Sequence, residues 1–166
     1  MTGSASAEAV RAAAEAVPDP ELPMLTVGDL GLVRAVEIED AAAVVTLTPT
    51  YSGCPATEVI RDDVTRAVRA LGVEVTVRTA LTPAWSTDWI SPAGHRKLAE
   101  AGIAPPREVR PGGAVPVAIG VRPPAPACPH CGSSATTELS RFGSTPCMSL
   151  WRCTACAEPF PHVKAL

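Results

Sequence analysis

Cys54-Pro-Ala-Thr-Glu-Val-Ile-Arg-Asp-Asp-Val-Thr-Arg-Ala-Val-Arg-Ala-Leu-Gly-Val-Glu-Val-Thr-Val-Arg78 reads as a helix followed at once by a strand, and this sets the fold class. Ile60, Val64, Ala67, Val68 and Leu71 recur at helical spacing and form one apolar stripe with polar residues around it. Pro55 suits a first helical position, and Gly72 suits the turn that ends a helix. Val73, Val75 and Val77 then alternate with Glu74, Thr76 and Arg78, the period-two pattern of a half-buried strand. A helix that delivers a strand across a single glycine predicts a mixed α/β domain.

On the N-terminal side, Val33–Glu39 and Ala43–Thr48 predict two strands joined tightly around Asp40-Ala41. Before them, Ser4 to Val17 is Ala-rich, with Val10, Ala13, Ala14 and Val17 at helical spacing, and Pro18 and Pro20 stop it. Ser91-Pro92 opens a further helix that ends near Gly102. The expected order is α-β-β-α-β-α, a small open α/β (α+β) sheet with helices, over residues 1–104. Eight prolines then fall within the 25 residues from Pro105 to Pro129, which predicts a connector over 105–127 with room for one short strand at Ala114–Val121. Five of the six cysteines lie beyond it, in a 128–166 module.

Composition excludes several classes. There are 14 Lys plus Arg against 17 Asp plus Glu, so the net charge is 14 − 17 = −3, a poor basis for general binding to nucleic acid or anionic membranes. From Cys128 onward, Arg141, Arg152 and Lys164 face only Glu138 and Glu158, a net of +1, too little for a nucleic-acid-binding ribbon. No apolar run reaches the roughly 18 residues of a membrane span, and the first residues lack a basic region followed by an apolar core. A cytoplasmic, reducing location is the expectation, and there cysteines serve as metal ligands or reactive thiols more often than as disulfides.

The 128–166 module carries Cys128-Pro-His-Cys131 and Cys153-Thr-Ala-Cys156, two Cys-x-x-Cys knuckles 21 residues apart. Each knuckle can turn two thiolates toward one ion, and two knuckles complete a tetrahedral site. Thirty-nine residues build little core alone, so a structural zinc would supply folding energy in a zinc-ribbon-like module. The same four thiolates could instead hold an iron–sulfur cluster, or be two unrelated pairs. Cys147 is a further thiol that could replace one of the four ligands or stand free beside the site; the alternative is a small buried apolar side chain. Cys54, ahead of Pro55, is placed to cap a helix whose free N–H groups favour a thiolate; a neutral cap in a buried turn is the alternative. Asp19, Glu21 and Asp29 form an acidic loop whose carboxylates could ligate iron or simply hold turns. There is no Gly-rich phosphate loop, catalytic carboxylate pair or triad, so an enzyme in its own right is not expected.

Asp19-Pro-Glu-Leu-Pro23, Asp29-Leu-Gly-Leu-Val33 and Tyr51-Ser-Gly-Cys-Pro55 resemble the domain of SufT-type iron–sulfur assembly factors. With Pro83-Ala-Trp-Ser-Thr-Asp-Trp-Ile-Ser91, Gly102-Ile-Ala-Pro-Pro106, both knuckles and Arg141-Phe-Gly-Ser-Thr145, nearly the whole chain resembles the PaaD (PaaJ) family encoded with phenylacetyl-CoA epoxidases. The resemblance implies an accessory subunit in phenylacetate degradation that assembles or maintains an iron or iron–sulfur centre. It also implies transient iron or cluster handling at Cys54, with Asp19, Glu21 and Asp29 as further candidates. Implied partners are the oxygenase and reductase subunits, with a homodimer as one way to share a cluster. The other reading is a structural adaptor that stabilises epoxidase subunits and carries no metal itself.

Overall fold

The computed structural model describes residues 5–51, 53, 55–107 and 124–166. The elements are α1 (Ala7–Glu15), β1 (Val33–Glu39), β2 (Ala42–Leu47), α2 (Ala56–Arg69), β3 (Val75–Thr79), α3 (Pro92–Glu100), β4 (Thr136–Ser140), β5 (Met148–Cys153) and β6 (Pro159–Val163). The first six follow the order read from the sequence. The tertiary contacts divide the chain between Gly94 and His95, within α3.

In the first unit the sheet order is β1-β2-β3. β1 and β2 are antiparallel, with Val36 opposite Val45. Asp40 and Ala41 join them with φ of 47° and 67°, the left-handed pair that a two-residue primed hairpin turn requires. β2 and β3 are parallel, with Val45 opposite Val77, and a parallel pair needs a crossover, which α2 provides. β2 is flanked on both edges, and Ala43, Val44, Val45 and Leu47 are all buried. α1 packs against β1, β2 and α2, and α2 packs against β3. The buried stripes are Val10 and Ala14 of α1 and Ile60, Val64 and Val68 of α2. Each larger aliphatic side chain among them contributes about 1.5–3 kcal/mol on burial.

Two helix starts compare differently with the sequence reading. Ser91 Oγ accepts the Gly94 N–H at 2.9 Å, so the serine ahead of Pro92 caps α3 as expected. At α2 the N-cap falls on Pro55, with φ −65° and ψ −24°, one residue later than expected, and no side chain caps it. Pro55 nevertheless holds the helical φ and ψ of a first helical residue, the position the sequence reading gave it.

Segment 17–32 and the stretch before α3 hold each other. Trp85 Nε1 donates to the Leu30 carbonyl at 2.8 Å, and Ser91 N–H donates to the Asp29 carbonyl at 2.8 Å. The Arg34 guanidinium stacks 3.6 Å from the Trp89 ring centre. Gly31 has φ +65°, and a Cβ there would meet the Trp89 carbonyl oxygen at 2.5 Å, so no other residue fits.

In the second unit β4, β5 and β6 form an antiparallel sheet in chain order. Ala104 N–H donates to Pro161 O at 2.8 Å and Val163 N–H donates to Ala104 O at 3.1 Å. These bonds tie Ala104 to β6, whereas the sequence reading kept residues to 104 with the first domain. The strand expected at 114–121 lies outside the described residues.

Candidate metal centre

The two Cys-x-x-Cys segments are built as matching turns. In the first, Gly132 N–H donates to Cys128 O and Cys128 N–H donates to Ser133 O, both at 2.9 Å, with Gly132 at φ +73°. In the second, Cys153 N–H donates to Glu158 O at 2.9 Å, with Ala157 at φ +66°. The sheet register sets Thr136 opposite Cys153, which carries the second turn to the first. Cys128 and Cys153 are buried with Ala104 and Phe160, and Trp151 and Cys156 pack against that cluster.

All four sulfurs lie within 4.8 Å of one another. Cys128 Sγ is 3.8 Å from Cys156 Sγ, and Cys131 Sγ is 3.6 Å from Cys153 Sγ. Zinc–sulfur bonds of about 2.3 Å in a tetrahedron set neighbouring sulfurs about 3.8 Å apart, so the donor set fits one tetrahedral ion. Backbone N–H groups point at the sulfurs. The Cys153 thiol is drawn down to about 6, chiefly by the Cys156 N–H and also by the Ala155 N–H, against its burial. The Glu158 N–H lowers Cys156, yet burial and the three other thiols drive it up to about 12. Ser133 N–H lowers Cys131, but Cys153, burial and Cys128 leave it raised. One thiol ionises readily while two of its neighbours resist, so four thiolates together call for a cation among them.

Cys147 stands apart from the cluster. Its sulfur is 3.0 Å from Thr145 Oγ1, and its carbonyl accepts the Lys164 N–H at 3.0 Å. The acidic loop is brought into turns. Asp19, 7% exposed, takes the N–H groups of Glu21 and Leu22 on Oδ1 at 2.9 and 2.8 Å. Asp29, 8% exposed, accepts the Thr26 N–H on Oδ2 while Thr26 Oγ1 accepts the Asp29 N–H, both at 3.0 Å. That reciprocal pair is a capping box, and Ser91 Oγ adds a 3.3 Å contact to Asp29 Oδ1. Glu21 is exposed; partial burial first, then the Asp19 charge, raises its pKa. Cys54 lies outside the described residues.

A family of iron–sulfur cluster assembly proteins matches residues 7–79, and the PaaD zinc beta ribbon domain matches residues 114–164. An Escherichia coli (strain K12) protein, provisionally assigned as a component of 1,2-phenylacetyl-CoA epoxidase, is 44% identical over 151 residues, covering 90% of this chain and 87% of its own. The chain belongs to the PaaD family. The ribbon match begins at residue 114, inside the proline-rich stretch, and holds all four clustered cysteines as well as Cys147. The assembly match holds Asp19, Glu21, Asp29 and Cys54. An Fe–S protein maturation auxiliary factor of Porphyromonas gingivalis is 38% identical over 78 residues, covering 45% of this PaaD-family chain and 73% of its own. A solved structure of a domain of unknown function (DUF59) from Bacillus anthracis shares 34% identity at a TM-score of 0.50, covering 54% of this chain and 87% of that one.

Sequence reading passed over the polar network on the ribbon sheet, where Trp151 Nε1 donates to Ser149 Oγ at 2.9 Å and that oxygen lies 3.1 Å from His162 Nδ1. Its only linear trace is that Ser149 and Trp151 share one face of a strand, because the His162 pairing depends on the β5–β6 register.

Proposed function

We propose that the chain is an accessory subunit of a phenylacetyl-CoA epoxidase system that assembles or maintains an iron or iron–sulfur centre in it. The observation that carries this reading is the union, in one chain, of an iron–sulfur assembly match and a PaaD ribbon match, with an epoxidase component as a near full-length relative. In this reading the metal to be delivered is cargo, held transiently at Cys54 ahead of α2, where free N–H groups at the start of a 14-residue helix favour a thiolate. A single thiolate is a weak cluster site, so two copies would share the cargo. The four ribbon cysteines hold zinc as a structural ion. The chain does no chemistry on phenylacetyl-CoA; its partners are the oxygenase and reductase components. It works in the cytoplasm, where thiols stay reduced. Among the described residues no helix is long and apolar enough to cross a membrane.

The test is metal and sulfide content with visible absorbance, after purification without oxygen, for the wild type and Cys54→Ser. The expected result is one zinc per chain in both, and substoichiometric iron and sulfide that vanish in Cys54→Ser. Zinc alone in both proteins would sink the carrier reading and favour an adaptor. Iron that persists in Cys54→Ser would put it on the ribbon cysteines and overturn the zinc assignment. Iron and sulfide in epoxidase subunits from a strain lacking this gene should fall; normal content would sink the maturation role.

A further inference from the structure

A groove of about 810 Å³ opens on the ribbon, lined by Ser149, Trp151 and His162 of the sheet and by Arg107, Arg141 and Lys164 around it. The indole N–H of Trp151 can only donate, so Ser149 Oγ accepts it. The serine oxygen also lies 3.1 Å from His162 Nδ1 and 3.5 Å from the His162 carbonyl, so it links the indole to β6. Glu138 is the one acidic residue in the lining against three cations. Arg11, Arg61, Arg66 and Arg69 of the first unit each sit in an ion pair. Arg107 instead donates to the Ala125 carbonyl at 3.4 Å, and Lys164 to the Pro146 carbonyl at 2.8 Å. Lys164 also sits 4.6 Å from the ring centre of Phe142, which is 70% exposed at the groove. In a chain of net charge −3 this is a local excess of positive charge beside exposed aromatic surface.

We propose that this groove docks an acidic segment of a partner protein. Carboxylates of the segment meet Arg107, Arg141 and Lys164, and an apolar side chain lies against Trp151 and Phe142. Arginines that keep donors free and an exposed aromatic ring are the residue types that anchor protein interfaces. Three cations are too few to follow a nucleic-acid backbone. The proposal deepens the reading of the chain as an epoxidase accessory subunit, since it assigns the surface by which a partner subunit is held.

The experiment measures binding of the full-length, zinc-loaded chain to the purified oxygenase component and, separately, to the purified reductase component, at low and high salt. The variants are Arg107→Glu/Arg141→Glu and a charge-matched control in the first unit, Arg66→Glu/Arg69→Glu. Arg107, Arg141 and Arg69 are exposed and Arg66 lies on the outer side of α2, so both variants should fold and keep zinc. Binding of one component should weaken at least about tenfold in the groove variant, and under about twofold in the control. Salt should weaken the wild type and have less effect on the groove variant. Equal losses in the two variants, no loss, or no binding of either component would overturn the proposal. So would a homodimer that dissociates only in the groove variant, because the occupant would then be a second copy. Cys54→Ser should bind like the wild type, so failure of metal handling and failure of docking are read separately.

Discussion

Cys128 Sγ and Cys156 Sγ lie 3.8 Å apart although their positions in the chain differ by 28. The ribbon's three short strands carry modest burial of their own, so the proposed zinc ion would hold the two knuckles together. Chelation should therefore unfold the ribbon strands while the first unit keeps its structure, seen as loss of amide dispersion confined to residues after α3. The ion's contribution is on the order of 10 kcal/mol at neutral pH and falls with acid, as protons compete for the thiolates. Cys153→Ser should lose zinc, and Cys147→Ser should retain a full equivalent by elemental analysis.

Asp29 and Thr26 cap each other, and Asp29 is buried. Replacing Asp29 by Ala strands the Thr26 N–H and should cost about 1–3 kcal/mol in urea unfolding. If Asp29 acts only in this turn, iron content in anaerobic preparations should be the same after correction for folded fraction. A loss of iron without loss of stability would assign it to the cargo site instead.

Ala41 holds a left-handed φ of 67° in the β1–β2 turn. An L-residue with a Cβ is strained there by about 1–2 kcal/mol, and glycine relieves that strain while losing part of the gain to unfolded-chain entropy. Ala41→Gly should stabilise the first unit by about 0.5–1 kcal/mol, as a shift in denaturation midpoint without a change in slope.

His162 has its pKa lowered by burial first and by the Arg107 charge second, with Glu138 pulling the other way. The folded ribbon thus binds the proton less well than the unfolded chain. Its contribution to stability is complete above the ordinary histidine value of about 6.5 and is lost as pH falls through the depressed folded value. A ring-proton titration should give a midpoint below that of a free histidine. Arg107→Ala should raise the midpoint, and Glu138→Gln should lower it further.

Much of the first unit was legible in the linear pattern. The β1 bounds, the Asp40-Ala41 turn, the apolar stripe of α2 and the Ser91 cap each depend on residues within a turn or two of one another. Periodicity, proline's fixed φ and side-chain capping are local physics, so a single segment displays them. At α2 the cap is assigned to Pro55, whose φ and ψ are already those of a first helical residue.

The ribbon was legible as chemistry but not as structure. Two Cys-x-x-Cys pairs announced a metal site, whereas β4, β5 and β6 are short, and β5 and β6 do not bury alternate residues cleanly. The mixed α/β order, the thiol pairs and the family likeness could be read in one dimension, because neighbouring residues carry each of them. Folding was needed to show that Asp29 closes a capping box while also meeting Ser91, and that Ala104 runs with β6. Folding also gathers Arg107, Arg141, Trp151, His162 and Lys164 around one groove. Those relationships follow from strand register and from which surfaces the core pulls together, and neither is encoded within any one segment.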